Sequence, residues 1–128
     1  MLCIAMVGAY AFYFADKTVD IHRGLGTSAY DFGLYEQGIW LLSQFQSPFV
    51  TLMGRNLFGD HSSFILLLLV PLYWFDPPTS ILLVVQSVVI ALGAIPLFWY
   101  AHRRLRSGFA ASVVPLGYLI HPAVVWTN

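Results

Sequence analysis

The chain alternates long apolar runs with short polar breaks, and the breaks delimit its elements. Residues 2–15 are apolar, with Tyr10, Phe12, Tyr13 and Phe14 gathered at the end as aromatics gather at a membrane interface. Asp16 and Lys17 then mark water. As a helix this run rises about 22 Å, short of the roughly 30 Å hydrocarbon core, so it predicts a truncated span. The following stretch to Ala29 is polar, and Gly24 and Gly26 predict a loop. Over 30–46, Leu34, Tyr35, Gly38, Leu41, Leu42 and Phe45 recur at helical spacing, with Gly33, Glu36, Gln37, Ser43 and Gln44 opposite. That pattern predicts an amphipathic helix lying in the interface and docked on neighbouring helices, stopped by Ser47-Pro48. A loop with Gly54, Arg55, Asn56 and Gly59 leads to Asp60, Ser62 and Ser63, each able to cap an apolar helix over 61–75. Asp76-Pro77-Pro78 ends it. Residues 79–101 are long enough to cross, with Gly93 and Pro96 tolerable inside a membrane helix and Gln86 read as an interhelical hydrogen bond. A last span covers 109–126, where His121 faces either the bundle interior or the interface.

Charge decides which segments cross. His102-Arg103-Arg104-Leu105-Arg106 holds three of the six Lys and Arg residues, and short cytoplasmic loops concentrate such residues. With that turn inside and the N-terminus inside, 61–75 does not cross, in agreement with its rise of about 22 Å. The expectation is one membrane domain, all-α, with an external loop over 16–78 that carries interfacial helices at about 30–46 and 61–75.

Only 9% of the 128 residues are charged, against roughly 25% for soluble domains, so the chain is an integral membrane protein or part of one. Localisation in the cell membrane as a multi-pass protein follows, with the bilayer as its first partner. Net charge is zero and no basic patch suits nucleic acid. Cys3 is the only cysteine, which excludes a disulfide framework and a cysteine metal site. The apolar start, with neither a basic stretch before it nor a small residue in place of Tyr13, does not fit a signal peptide. The ends read as cut, which predicts an N-terminal fragment whose partners include the remaining helices of a longer chain.

Three stretches carry a resemblance. Tyr30-Asp31-Phe32-Gly33-Leu34-Tyr35-Glu36-Gln37-Gly38-Ile39-Trp40, then Gly59-Asp60-His61-Ser62-Ser63-Phe64-Ile65-Leu66, then Ala94-Ile95-Pro96-Leu97 leading into Arg103-Arg104-Leu105, resemble a widespread family of prokaryotic multi-pass membrane proteins, domain of unknown function 2079. That family is grouped with the type-C glycosyltransferases, which take sugars from polyprenyl-phosphate carriers. The resemblance covers about 29–128. It implies a type-C-like helical bundle whose first external loop carries two membrane-parallel helices. It implies transfer of a sugar from a polyprenyl-phosphate donor to an acceptor on the external face, with the fragment inactive alone. It also implies that an acid early in the loop acts as catalytic base or metal ligand, and Asp31 matches that position best. His61 looks like the histidine that opens the corresponding helix in protein mannosyltransferases.

The residues themselves leave alternatives. Asp31 is also a favoured helix cap, and Glu36 also suits a solvated polar face. Asp60 and His61 read as a substrate or metal pair, or as a cap beside an interfacial histidine. Asp31, Asp60 and His61 are weak candidates for a divalent metal, because spacing supplies no further ligand. Arg23 and Arg55 are candidates by charge for stabilising a leaving phosphate, although loop arginines are also simply solvated. The competing readings are a transporter piece and a non-catalytic membrane scaffold. A transporter would favour ionisable groups at mid-membrane, where this chain has almost none.

Overall fold

The computed structural model describes residues 2–27, 29–59, 62–75 and 77–127. The chain is mostly helical and folds as two compact units, Met1–Arg23 with Leu82–Asn128, and Gly24–Ile81.

In the first unit, α1 runs from Leu2 to Arg23, eight residues past the expected end at Ala15. Asp16, Lys17 and Asp20 do not stop it, because their side chains lie on its outer face. Thr18 turns its hydroxyl back onto the carbonyls of Phe14 (2.8 Å) and Ala15 (3.2 Å), so its polar group is satisfied inside the helix. The glycines that predicted a loop instead terminate the helix, and Leu25 just beyond has a left-handed backbone, φ 60°. At 22 residues α1 is about 33 Å long and can cross a bilayer.

The second candidate span, Ile81–Leu105, is broken at Gly93 into α3 (Ile81–Leu92) and α4 (Ala94–Leu105). Pro96 has no N–H, which weakens the ladder at that point. The break is filled from α5 (Gly108–Leu119): the Tyr118 hydroxyl donates to the Ile90 carbonyl at 3.0 Å. A Cβ on Gly93 would lie 2.6 Å from that hydroxyl. Only glycine leaves room for this contact.

The turn at Arg106-Ser107 brings α5 back along α4, with the Ser107 hydroxyl accepting from Ala110 N. Small residues let the backbones approach: Ala94, Ala101, Ala111 and Pro115 are all buried. The expected single span over 109–126 is two helices, α5 and α6 (Pro122–Thr127). His121 explains the interruption, since its Nδ1 accepts from Ala123 N at 3.2 Å and caps α6, with Pro122 at the first helical position. Cys3, Val7 and Tyr10 of α1 close the core against Ala91, Ala94 and Leu119. The remaining large apolar side chains, Ile4, Phe12, Val89, Phe109 and Val113 among them, face outward as lipid-facing residues do.

In the second unit, α2 (Ala29–Ser43) lies between a hairpin and a long 3₁₀ helix. The hairpin pairs β1 (Phe49–Val50) with β2 (Arg55–Asn56) in antiparallel register, Phe49 opposite Asn56 and Val50 opposite Arg55. Leu34, Val50 and Leu57 form its core. Gly38 provides the seat for Leu57, because a Cβ there would stand 2.6 Å from Leu57 Cδ2.

Two expectations change here. The helix over 30–46 is not amphipathic in the expected sense. Polar Ser43 is buried, Phe45 is exposed, and Gln37 is occupied by Thr51, whose N–H and hydroxyl donate to Oε1 at 3.2 and 3.1 Å. A helix covered on two sides has no single wet face, so an apolar stripe is not what orients it. The apolar segment expected over 61–75 is a 3₁₀ helix over Phe64–Phe75. Its three-residue turn lines up Leu66, Leu69 and Leu72 as one partly covered row and Val70 with Tyr73 as a buried one. Ile65, Leu68, Pro71 and Trp74 form an exposed row. At about 2 Å per residue the helix spans about 24 Å, still short of a hydrocarbon core.

The Gly93 seat makes a measurable claim. Gly93→Ala should lower stability by about 1–3 kcal/mol through overpacking, and Tyr118→Phe by about 1 kcal/mol through the lost hydrogen bond. The double variant should lose less than the sum, because Phe makes room for the methyl group. Thermal unfolding of the three variants in detergent micelles checks this, and strictly additive losses would contradict it.

Candidate functional site

The end of α2 is shaped by a Schellman motif. Gln46 N donates to the Leu41 carbonyl (2.9 Å) and Phe45 N to the Leu42 carbonyl (3.0 Å). The residue in the left-handed position is Phe45, φ 55°, where glycine is usual. A side chain there is strained by roughly 1–2 kcal/mol. The strain holds the phenyl ring out from the helix end, stacked on Trp74 with centroids 6.1 Å apart. Trp74 is fixed in turn by its indole N–H, which donates to the Ser43 carbonyl at 3.0 Å. That carbonyl belongs to the last turn of α2 and has no partner within the helix.

These contacts frame a cavity of about 570 Å³ between the end of α2 and the 3₁₀ helix. Its aromatic walls are Trp40, Phe45, Tyr73 and Trp74, and its polar groups are Glu36, Ser43, Gln44 and Thr79, with Pro77 closing one edge. No basic side chain is among the described residues that line it. The volume falls within the usual range for small-molecule sites.

Tyr73 is the anomaly. Only 7% of it is exposed, and its hydroxyl is the one buried side-chain polar atom among the described residues with no hydrogen-bond partner. Burial pushes its pKa well above the ordinary tyrosine range, and the nearby Glu36 charge adds to the shift. The hydroxyl is therefore a neutral donor and acceptor, held against the cavity without a protein partner. A buried orphan of this kind destabilises by about 1–3 kcal/mol unless something fills its need.

The residues expected to carry chemistry divide as follows. Glu36 lines the cavity. Asp31 does not; it is exposed in the first turn of α2, the third residue of a helix that begins at Ala29, where its charge favours the helix N-terminus but it is not the cap. Arg55 is exposed on β2 and does not line the cavity. Arg23 ends α1 in the other unit, with Nη1 3.9 Å from Asp20 Oδ1. Asp60 and His61 lie outside the described residues. Among the described residues, no three His, Cys, Asp or Glu side chains converge to hold a metal ion.

Tyr73, Trp40 and Trp74 were not singled out by sequence. A faint signal exists: Pro71 inside an apolar run disfavours a regular α-helix, and two hydrogen-bonding aromatics follow it after Leu72.

A family model described as predicted membrane protein matches residues 21–128. The chain belongs to this family, DUF2079. The match takes in all of the Gly24–Ile81 unit and its cavity. No curated protein and no solved structure matches significantly. Family membership and two helices long and apolar enough to cross a bilayer agree on a membrane protein.

Two substitutions should raise stability while weakening the site. Tyr73→Phe removes the orphan hydroxyl and should stabilise by up to about 1–3 kcal/mol. Phe45→Gly relieves the left-handed strain and should gain up to about 1–2 kcal/mol, less the lost ring stacking. The alkaline limb is a second readout for Tyr73. Its folded pKa lies above the unfolded value of about 10, so the native state keeps the proton longer and stability falls as pH rises past about 10. Melting curves between neutral pH and about pH 11 should show that fall in the parent and a smaller one in Tyr73→Phe. A destabilised Tyr73→Phe with an unchanged alkaline limb would contradict the orphan assignment.

Proposed function

We propose that this chain is part of a membrane transferase that binds a sugar in the α2 cavity and moves it from a polyprenyl-phosphate carrier to an acceptor hydroxyl on the external face. The observation that carries the reading is the lining: one carboxylate, Glu36, among four aromatic side chains and several hydroxyl and amide groups. Pyranose rings present apolar C–H faces that suit Trp and Tyr rings, and a rim of hydroxyls that suits Glu, Gln, Ser and Thr. The orphan Tyr73 hydroxyl would find its partner in such a ligand. The resemblance to a family grouped with the type-C glycosyltransferases, which the Tyr30–Trp40 stretch helps to carry, supports the same reading.

The chemistry needs a base. An acceptor hydroxyl attacks the anomeric carbon as its proton passes to a carboxylate within hydrogen-bond reach, and the polyprenyl phosphate departs. We assign the base to Glu36, because it faces a substrate-sized space, and keep Asp31 as the competing position. The aromatic rings and the hydroxyl and amide groups of the lining suit the sugar part of the donor. The transporter reading is weaker. Broken membrane helices make transport sites when the break is open to a ligand, whereas the Gly93 break is filled by Tyr118.

The test is turnover of polyprenyl-phosphate sugars by the full-length protein in proteoliposomes. Glu36→Gln should reduce it about 10²–10⁴-fold, the usual worth of a general base, with little change in protein level. Asp31→Asn should keep most of its activity, since Asp31 is exposed and does not line the cavity. The reverse result moves the base to Asp31. Normal turnover in both variants would end the transferase assignment to this helix.

A further inference from the structure

The last turns of α4 carry three aromatic residues followed, after Ala101, by three bases, each base four residues beyond an aromatic. Every pair is in contact. The His102 ring stacks on Phe98, centroids 5.6 Å apart and planes 7° from parallel. The Arg103 guanidinium lies 3.6 Å over the Trp99 ring, and that of Arg104 lies 5.6 Å from the Tyr100 ring. Arg106 follows at the helix end with a left-handed backbone, φ 53°.

Three features make this more than a basic turn. The pairs step about 100° apart around the helix, so the cations form a collar and not a stripe. Trp99 and Tyr100 are 56% and 60% exposed, so the outer two pairs face away from the protein core. Among the described residues no acid neutralises Arg103, Arg104 or Arg106; the ion pair seen is Arg23 with Asp20, on a different helix. Stacking fixes the plane of a guanidinium and leaves its N–H edge open, and that edge matches two oxygens of a phosphate. The collar sits where the 25-residue apolar stretch Ile81–Leu105 ends, at the depth of lipid headgroups for a helix of that length.

We infer that the Trp99–Arg103 and Tyr100–Arg104 pairs form a binding site for the phosphate of anionic phospholipids, with the rings set in the interface and the guanidinium edges on the headgroup. Zwitterionic lipids carry the same phosphate, but their ammonium competes for it, so the collar prefers lipids with net negative charge. Phe98 packs on the core and so restricts the His102 pair to a supporting role.

The test uses the full chain purified in detergent and supplied with mixed phosphatidylglycerol and phosphatidylcholine, with retained lipids counted by native mass spectrometry. The parent should retain phosphatidylglycerol preferentially. Each basic residue near a charged membrane surface is worth about a fivefold change, so Arg103→Gln should weaken retention about fivefold and the double change with Arg104→Gln about 30-fold. The variant Trp99→Leu keeps the charge and loses the platform, and it should fall between the parent and Arg103→Gln. Glycerol phosphate without acyl chains should not displace the lipid; displacement at equal concentration would mean a soluble phosphate site and overturn the lipid assignment. If the double variant misfolds by circular dichroism, the salt dependence of the parent decides. Retention should drop steeply toward roughly 0.5 M salt, where charges are screened within a few ångströms. Equal retention of both lipids, or retention indifferent to salt or to Arg103→Gln in folded protein, overturns the inference.

Discussion

A carbonyl left open at a helix end must find a donor, and in a chain this apolar the donor is repeatedly the polar tip of an aromatic side chain. Trp74 caps Ser43 at the end of α2, Tyr118 adds a second donor to the Ile90 carbonyl beside Gly93 N at the break, and Tyr10 reaches Val124 of α6 at 3.4 Å. Each contact does two jobs. It satisfies a backbone group that burial would otherwise penalise, and it buries a large ring against the neighbouring element. The helix ends are thereby fixed to their partners by directional bonds, where apolar packing alone would let them slide.

The cavity follows from one such contact. Trp74 reaches Ser43 because the 3₁₀ helix advances three residues per turn, which sets Val70 and Tyr73 in one buried row and Trp74 in the next. Phe45, held in a left-handed conformation by the Schellman bonds, completes the wall. Against this pattern Tyr73 stands out. The tips of Tyr10, Trp74 and Tyr118 meet a carbonyl, whereas its hydroxyl is buried beside Glu36 with none. Strain at Phe45 and an orphan at Tyr73 lie in the same cavity, and such features cluster at functional sites.

Much of the chain's organisation was legible from its residues. Apolar run lengths and the Asp76-Pro77-Pro78 stop delimited the segments, and the span through Gly93 and Pro96 is present as a broken helix. Three things were not legible, each for its own physical reason. Charges at Asp16, Lys17 and Asp20 suggested water at the end of α1, but charged side chains on an outer helix face do not end a helix. Polar Ser43 and apolar Phe45 suggested opposite faces from those they take, because the helix terminates between them and the chain turns left-handed. The run after Ser63 gives no sign of a 3₁₀ helix, since a composition so uniformly apolar carries no periodicity to separate 3.0 from 3.6 residues per turn. Within the candidate site, acid identity was readable and environment was not. Asp31 and Glu36 differ by five residues, about 140° around the helix, and only the packing of the 3₁₀ helix distinguishes the exposed one from the one that lines a cavity.

The central claim is that the sugar of a polyprenyl-phosphate donor occupies the cavity between the end of α2 and the 3₁₀ helix. The most direct measurement is photo-crosslinking of the full-length protein with a donor carrying a photoreactive sugar, followed by peptide mapping. Adducts are expected on the peptides that contain Glu36–Phe45 and Tyr73–Thr79, and they should be lost in Trp40→Ala. Adducts confined to the hairpin around Arg55, or spread evenly over the lipid-facing surfaces of α1 and α3, would contradict it.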